Sequence, residues 1–457
     1  MIKMNRQILG RLGAVAVAMT LALPASAETL ADAMISAYRN SHLLEQNRAV
    51  LRAADENVAI NVSSLRPTLG LAATETYSNP ASFMTLNKNL YGTLGLQASM
   101  TLLDFGRSRA AIDGAKQSVL ATRAALVGVE QQVLLGAVTA YMNVRNAQEV
   151  VYLNDGSVRV LRQQLKAARD RFEVGEITRT DVAQAEAALA AAHSKLVAAQ
   201  GQLAMAREAY KASVGHYPGK LLAPPKAPAI PRKLKDAVAI AQHDQPALKQ
   251  AQYQVKAAEY AVKRAKAQVR PTLSATAQYG VNSLSIAQLQ GVLTLSQPIY
   301  AGGKISALYR QALAQEDQNK AGLLQAAVQV TQNVGNAWAQ LAVARSSITA
   351  YDEQIRAAKT AYTGVQEEAK LGSRTTLDVL NAEQLLLDAR ASRVTAGTSE
   401  YVAVYQLLAS MGLLTAKHLG LGVPSYDPTA YYNAVKSAPA TSVQGRALDR
   451  VLKSMGK

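Results

Sequence analysis

The segment that decides the fold is Leu65-Arg66-Pro67-Thr68-Leu69, because it returns 204 positions later as Val269-Arg270-Pro271-Thr272-Leu273. Upstream of it, Leu30-Ala31-Asp32-Ala33 returns at the same offset as Leu234-Lys235-Asp236-Ala237. Self-similarity at a fixed offset is typical of a structural unit that is built more than once in a chain. The sequence therefore predicts two repeats.

A second set of matches lies farther along each half. Gly175 and the pair Asp181-Val182 return 197 positions later as Gly372 and the pair Asp378-Val379. Because this offset is shorter than the first one, one half must carry a longer loop between the two sets. Each half has the same predicted order: a short helix, the Arg-Pro-Thr-Leu motif, two alternating segments, a long helix, a turn with glycine and a second long helix.

The segments after each Arg-Pro-Thr-Leu motif alternate between apolar and polar residues. The pattern covers Leu90 to Leu102 in the first half, and Thr272 to Tyr279 and Ala287 to Leu295 in the second. Segments of about ten residues with one apolar and one nearly uncharged polar face are typical of tilted membrane strands. A half-buried sheet in a soluble protein is the alternative.

The number of strands has a consequence for assembly. Each half supplies one hairpin, so one chain supplies four strands, whereas single-chain membrane barrels begin at about eight. Only a closed barrel satisfies every strand's backbone in lipid. The barrel must therefore include strands of other copies, eight with two copies or twelve with three.

Long helices fill the rest of each half. No residue breaks the helical pattern between Gly106 and Gly175. Beyond that turn a heptad repeat alternates large and small seam residues, which is typical of close coiled-coil packing. The large positions are Val182, Leu189, Leu196, Leu203 and Tyr210, and the small ones are Ala185, Ala192, Ala199, Ala206 and Ser213. Two such hairpins fused to barrel strands predict a ring of helices that continues the barrel as a tube.

The start of the chain is predicted to be a signal peptide. Basic residues precede an apolar run at 12–23, and Ala25-Ser26-Ala27 is a cleavage signal of the A-x-A type. Beyond it, no uninterrupted run of 18 apolar residues indicates a membrane helix. The net charge of +17 would suit a nucleic-acid partner. An exported protein rarely meets nucleic acid, and the basic residues are interspersed with acidic ones along the helices. We therefore interpret the charge as belonging to solvated helix faces.

The sequence offers no catalytic or metal-binding candidate. It has no cysteine, which excludes disulfides, thiolate nucleophiles and a lipidated N-terminal cysteine. Its five histidines have no partner at ligand spacing, and Gly302-Gly303-Lys304 lacks the spacing of a phosphate-binding loop. We therefore expect neither an enzyme nor a bound metal or cofactor.

These motifs, taken together and in order, resemble the TolC family of outer-membrane channel proteins. The resemblance rests on the duplicated Arg-Pro-Thr-Leu motif, on the turn at Tyr300-Ala301-Gly302-Gly303, and on the two tips at 172–182 and 371–380. It implies a homotrimer with a twelve-stranded barrel in outer-membrane lipid and a twelve-helix periplasmic tunnel. It also implies docking to a periplasmic adaptor and an inner-membrane transporter, for drug efflux or type I secretion.

The resemblance also implies functional positions. Asp378 matches an inward aspartate at the periplasmic constriction, but its companion three residues later is Asn381. Arg374, Thr180 and Asp181 match polar links that hold the tip closed, while a further tyrosine link is replaced by Ala369. The tips at Gly175 and Gly372 are the expected adaptor contacts. Asp181 and Asp378 could instead be first-turn acids that the helix dipole favours.

The predicted organisation assigns every part of the chain. It comprises a signal peptide (1–27), a first repeat (28–216, with a β-hairpin at about 67–103 and a helical hairpin at about 107–216), a Pro-rich connector (217–231), a second repeat (232–417, with a β-hairpin at about 271–300 and a helical hairpin at about 304–417) and a partly disordered tail (418–457). Two functions fit it. The first is an export duct; the alternative is a periplasmic coiled-coil structural or adaptor protein whose alternating segments form a small soluble sheet.

Overall fold

The computed structural model describes residues 27–77, 90–282, 286–424, 426–437 and 450. The predicted signal peptide, apart from Ala27, lies outside these residues, as does much of the end of the predicted tail. In the described part of the chain the elements are α1 (Leu30–Asn40), α2 (His42–Ser63), β1 (Thr68–Tyr77), β2 (Leu90–Leu103), α3 (Arg107–Glu173), α4 (Arg179–Val214), α5 (Leu234–Asp244), α6 (Pro246–Lys266) with a 3₁₀ turn (Ala267–Val269), β3 (Thr272–Asn282), β4 (Ala287–Ser296), α7 (Lys304–Lys370), α8 (Thr376–Ser410) and α9 (Pro428–Val435).

The short helix expected before each strand pair is in fact two helices. In the first repeat, the Ser41 side chain accepts a hydrogen bond from the Leu44 backbone N–H at 3.2 Å and so begins α2 afresh. In the second repeat, Pro246 is the first residue of α6, where its missing N–H and fixed φ suit a helix start.

The four strands form one antiparallel sheet in the order β1-β2-β3-β4. The two hairpins therefore meet through β2 and β3, with Met100 opposite Ala275 and Gln97 opposite Gln278. This register puts polar residues on one face, where Gln97 and Gln278 line a cavity of about 230 Å³. The opposite face is apolar and open, with Leu71 and Leu293 exposed to 72% and 71%. The predicted alternation of apolar and polar residues thus gives the sheet one apolar and one polar face.

The chain divides into two compact units that do not coincide with the two repeats. The first unit comprises residues 1–37, 137–227 and 355–394; the second comprises residues 38–136, 228–354 and 395–457. Each unit therefore takes segments from both repeats, because the long helices α3, α7 and α8 continue from one unit into the other.

The core of the first unit follows the predicted heptad. The small heptad residues Ala185, Ala192 and Ala199 are deeply buried, at 1%, 7% and 7% exposure, as is the large heptad residue Tyr210 at 0%. Ala185 packs with Leu165 and Ala168 of α3, and the larger heptad residues Val182 and Leu189 close over this cluster. Small residues at the seam let the helix axes approach closely, as in a coiled coil.

The connector between the repeats is anchored to the first described residues. The Glu28 backbone N–H donates to the Lys220 carbonyl at 2.9 Å, and the Glu28 carbonyl accepts from the Leu222 N–H at 3.0 Å. The fully buried Tyr141 donates from its hydroxyl to the Leu222 carbonyl at 2.7 Å. The Pro-rich connector thus gains a fixed position without becoming helical.

In the second unit, the chain's tail packs on the first repeat. Leu51 and Val58 of α2 and Val119 of α3 form a buried cluster, and Tyr426 and Tyr432 of the tail lie against it. Part of the predicted tail is thus a structured cover for α2.

One helix is apolar enough to be compared with a membrane span. An 18-residue window of α3 has a mean hydropathy of 1.2, and 44% of that window is buried inside the protein. Because the core helices of proteins pass the same test of length and composition, this window does not by itself make α3 a membrane helix.

Candidate functional site: the two helix-joining tips

Each long helical hairpin turns through a glycine with left-handed backbone. Gly175 and Gly372 both have φ of +78°. At the first turn the Gly175 N–H donates to the Phe172 carbonyl at 3.0 Å, and at the second the Gly372 N–H donates to the Ala369 carbonyl at 3.2 Å. Positive φ is costly for side chains other than glycine, so both turns depend on this residue type.

The helix that follows each turn begins with a reciprocal cap. Asp378 Oδ2 accepts hydrogen bonds from the Thr375 backbone N–H at 3.0 Å and from its hydroxyl at 2.8 Å. Asp181 Oδ2 accepts the matching pair from Thr178 at 2.9 Å and 2.7 Å. Hydrogen bonds to an ionised carboxylate favour the charged form. They lower the pKa of Asp378 and of Asp181 below the usual aspartate range.

Arg374 is exposed, and its charge is directed back across the turn. Its Nε lies 2.8 Å from Glu368 Oε2 at the end of α7. The described hydrogen bonds of Arg374 therefore do not reach Thr180 or Asp181, and Thr180 itself is exposed. Glu368 was not singled out from the sequence, although its position six residues before Arg374, on the far side of the glycine turn, could have indicated the pair.

The two positions that depart from the family pattern also differ in surroundings. Asn381 is exposed on α8. Ala369 lines a cavity of about 260 Å³ near the ends of α3 and α7, together with Gln164, Arg171 and Gln366. An alanine leaves room at this point for the neighbouring polar side chains.

A buried carboxylate near the second tip was missed by the sequence reading. Glu383, one turn beyond Asp378 on α8, is 8% exposed and accepts a long hydrogen bond of 3.4 Å from Ser157 Oγ on α3. Its Oε2 has no partner among the described residues. Burial disfavours the charged form and raises the pKa of Glu383 to about 7. The first-tip counterpart, Glu186, is instead exposed and lies 2.6 Å from Arg169 Nη2.

No group of three or more His, Cys, Asp or Glu residues that could hold a metal occurs in the described part of the chain. The site is therefore built from helix caps, glycine turns and charged side chains, which can guide or restrict a passing solute.

Comparison with known proteins places this architecture in a class of export channels. The family described as outer membrane efflux protein matches residues 35–216 and 238–413. The outer membrane efflux protein BepC of Brucella suis is 37% identical over 420 residues, which cover 90% of this chain and 91% of BepC. The outer membrane protein TolC of Escherichia coli K12 is 24% identical over 456 residues, covering 92% and 90%. The crystal structure of the Campylobacter jejuni CmeC outer membrane channel superposes with a TM-score of 0.76 at 17% identity, covering 91% of this chain and 90% of CmeC.

The chain belongs to the outer membrane efflux protein family. It is an outer-membrane export channel, as the sequence predicted. The family is one of transport channels.

Proposed function

We propose that three copies of the chain form one continuous duct, with twelve strands in outer-membrane lipid and twelve long helices in the periplasm. The supporting observation is the four-stranded sheet with edges at β1 and β4. Neither edge has a second partner strand among the described residues. Unpaired backbone groups are costly in lipid, so each edge requires a strand from another copy.

The faces of this sheet support the same assembly. Its apolar face, with Leu69, Leu71, Leu289 and Leu293 largely exposed, suits contact with acyl chains. Its polar face, with Gln97, Gln278 and Gln290, suits a water-filled lumen. The duct is passive, and the energy for transport comes from an inner-membrane transporter.

The two tips serve as the contact with a periplasmic adaptor, which in turn holds the transporter. Each tip exposes apolar side chains next to its glycine turn, with Val174 at 70% and Leu371 at 85% exposure. Large exposed apolar residues on a rigid turn are suited to insertion into a partner's groove. An adaptor with an apolar groove is therefore the partner that these tips fit.

Asp378 and Arg374 act at the resting constriction, with Thr180 and Asp181 on the neighbouring turn. In a three-fold assembly each inward carboxylate occurs three times around one axis. The hydrogen bonds from Thr375 keep Asp378 ionised, so such a ring would attract cations and repel anions. The Arg374–Glu368 pair braces the turn that presents it.

Single-channel recording in planar bilayers tests this function. The purified protein is expected to form cation-selective pores, and Asp378→Asn should reduce selectivity and block by multivalent cations. Asp32→Asn is the matched control, because it alters the same kind of Thr–Asp cap at the start of α1. Absence of channel activity from correctly folded protein would contradict the duct, and equal selectivity of wild type and Asp378→Asn would remove Asp378 from the constriction.

A further inference from the structure

A basic cavity lies where the two inner strands of the sheet join their helices. It has a volume of about 350 Å³ and lies between the β2–α3 and α6–β3 junctions. Four cationic side chains line it: Arg109, Lys263, Lys266 and Arg270. The one carboxylate in the lining, Asp113, is engaged by Lys116 of its own helix at 3.0 Å. The cavity therefore has a net positive charge.

The four cations keep their charge available. None of them forms an ion pair with a carboxylate among the described residues. Lys263 Nζ lies 4.6 Å from the centre of the Tyr260 ring, and Arg270 Nη1 donates to the Phe105 carbonyl at 3.0 Å. These contacts orient the side chains without neutralising them, so the cavity suits an anion that the chain itself does not supply.

The backbone N–H groups at the start of α3 do not account for the preference of the cavity for an anion. Asp104 already caps the helix: its Oδ2 accepts from the Ser108 N–H at 2.7 Å, and its Oδ1 accepts from the Gly106 N–H at 3.1 Å. An anion in the cavity would therefore be held by the guanidinium and ammonium groups.

Arg109, one of the four cations, lies on the side of α3 that faces away from the polar face of the sheet. Arg107 Nη2 donates to Thr272 Oγ1 at 2.9 Å, and Thr272 lies in register with the polar face. Arg109 comes two residues later and is thus about 200° farther round the helix, on the opposite side. Because β2 and β3 are the inner strands, this position is also distant from the edges at which neighbouring copies would join.

An apolar groove lies on the strands just beyond the cavity. It has a volume of about 320 Å³, and its lining includes Met100, Ala275 and Leu293 of the apolar face. Ala275 is five residues from Arg270 along the chain. Phe105, 42% exposed, lies at the cavity itself, where an aromatic ring suits a membrane–water boundary. A charged cavity next to an apolar groove matches a molecule with an anionic head and an acyl chain.

The corresponding surface of the first repeat is closed. At the repeat offset, Lys263 and Lys266 correspond to Ala59 and Val62 of α2. Val62 belongs to the cluster that the tail covers with Tyr426 and Tyr432.

The arginine of the first repeat is also occupied by the tail. Arg66, the counterpart of Arg270, donates to the Ser437 carbonyl of the same tail. One repeat is thus sealed by the chain's own tail, whereas the other is open and basic.

We propose that the cavity binds the phosphate group of an anionic phospholipid at the periplasmic face of the outer membrane. The lipid's acyl chain lies along the apolar groove of β1–β4, and each chain offers one such site. This inference rests on the proposed function, because it requires the strands to span the membrane.

Native mass spectrometry of the detergent-extracted protein tests the site, with dioleoylphosphatidylglycerol as the probe and dioleoylphosphatidylcholine as the neutral reference. The test variant combines Arg109→Gln, Lys263→Gln and Lys266→Gln. The matched control combines Arg232→Gln, Lys233→Gln and Lys235→Gln, which removes the same charges from exposed positions before and at the start of α5. The mass of the assembly reports the trimer independently of lipid adducts.

The wild type and the control are expected to bind the anionic lipid in preference to the neutral one. The test variant is expected to bind the anionic lipid at least roughly tenfold more weakly than the wild type does. Equal binding by the test variant would overturn the proposal. Glycerol phosphate at the same concentration should leave the lipid adducts intact. Displacement by it would show a site for soluble phosphate and would also overturn the proposal, whereas a mass other than three chains would contradict the proposed duct instead.

Discussion

The two tips have nearly the same backbone but different charges beneath it. Both turn at a glycine with φ of +78°, and both restart the helix with a Thr–Asp cap. Below the first tip, Glu186 is exposed and paired with Arg169. Below the second, Glu383 is buried beside Ser157, and one of its carboxylate oxygens has no partner among the residues that the structure describes. Duplication has therefore preserved the turn, while a buried and titratable carboxylate marks the second hairpin.

The largest effect on export is expected from substitution of the glycine at either tip. Gly175→Val and Gly372→Val each place a β-branched side chain at positive φ, which costs roughly 1–3 kcal/mol locally and distorts the turn. Both variants should abolish export of a dye from intact cells while leaving assembly unchanged. Gly201→Val, in α4 with no atom within 4 Å of its added Cβ, is the control. Normal export by well-expressed tip variants would remove the tips from the adaptor interface.

The second largest effect is on the pH dependence of stability, which should differ between the two hairpins. The native pKa of Glu383, about 7, lies above the ordinary value of 4.5, so the folded protein binds this proton more tightly than the unfolded chain does. The contribution of Glu383 to the free energy of unfolding is therefore greatest below pH 4.5. It falls by on the order of 2 kcal/mol as the pH rises to 7, after allowance for partial solvation.

Thermal unfolding of Glu383→Gln at pH 5 and pH 7.5 checks this expectation. The variant should lose that part of the pH dependence and be more stable than the wild type at pH 7.5, because glutamine can still accept from Ser157 without a charge. Glu186→Gln should leave the pH dependence intact. The same pH profile in Glu383→Gln and the wild type would show that the buried carboxylate is not the titrating group.

A smaller effect should be equal at the two tips. Thr178→Ala and Thr375→Ala each remove the hydroxyl of a helix cap, which contributes about 1 kcal/mol. Hydrogen exchange in the first turn of α4 and of α8 should accelerate to a similar extent. A much larger change at one tip would mean that its cap is stabilised by contacts that the other lacks.

The smallest effect on stability is expected from the exposed ion pairs. Glu368→Gln and Glu186→Gln should each change the free energy of unfolding by less than about 0.5 kcal/mol, because exposed pairs are weak. In planar bilayers, however, only Glu368→Gln should raise the resting conductance, since it releases Arg374. Equal conductance for both variants would make the Arg374–Glu368 pair a surface contact without a role in closing the pore.

The sequence predicted the elements whose pattern is local. Alternation indicated the strands, and the heptad with Ala185 and Ala192 indicated the buried helix seam. Each predicted short helix is divided in two, by the side-chain cap at Ser41 in the first repeat and by the missing N–H of Pro246 in the second, and hydrophobic periodicity reports neither. The burial of Glu383 against Ser157 depends on which helices meet in space, and no spacing in one segment reports that.

The measurement that most directly tests the account is cross-linking between the two edges of the sheet. The chain has no cysteine, so a short bismaleimide reacts only with the introduced Ala72→Cys on β1 and Gln290→Cys on β4, both of which line the polar face. The double variant should give products of two and three chains and none larger, while each single variant should give far less product. Monomer alone, or a ladder that continues beyond three chains, would contradict a closed trimeric duct.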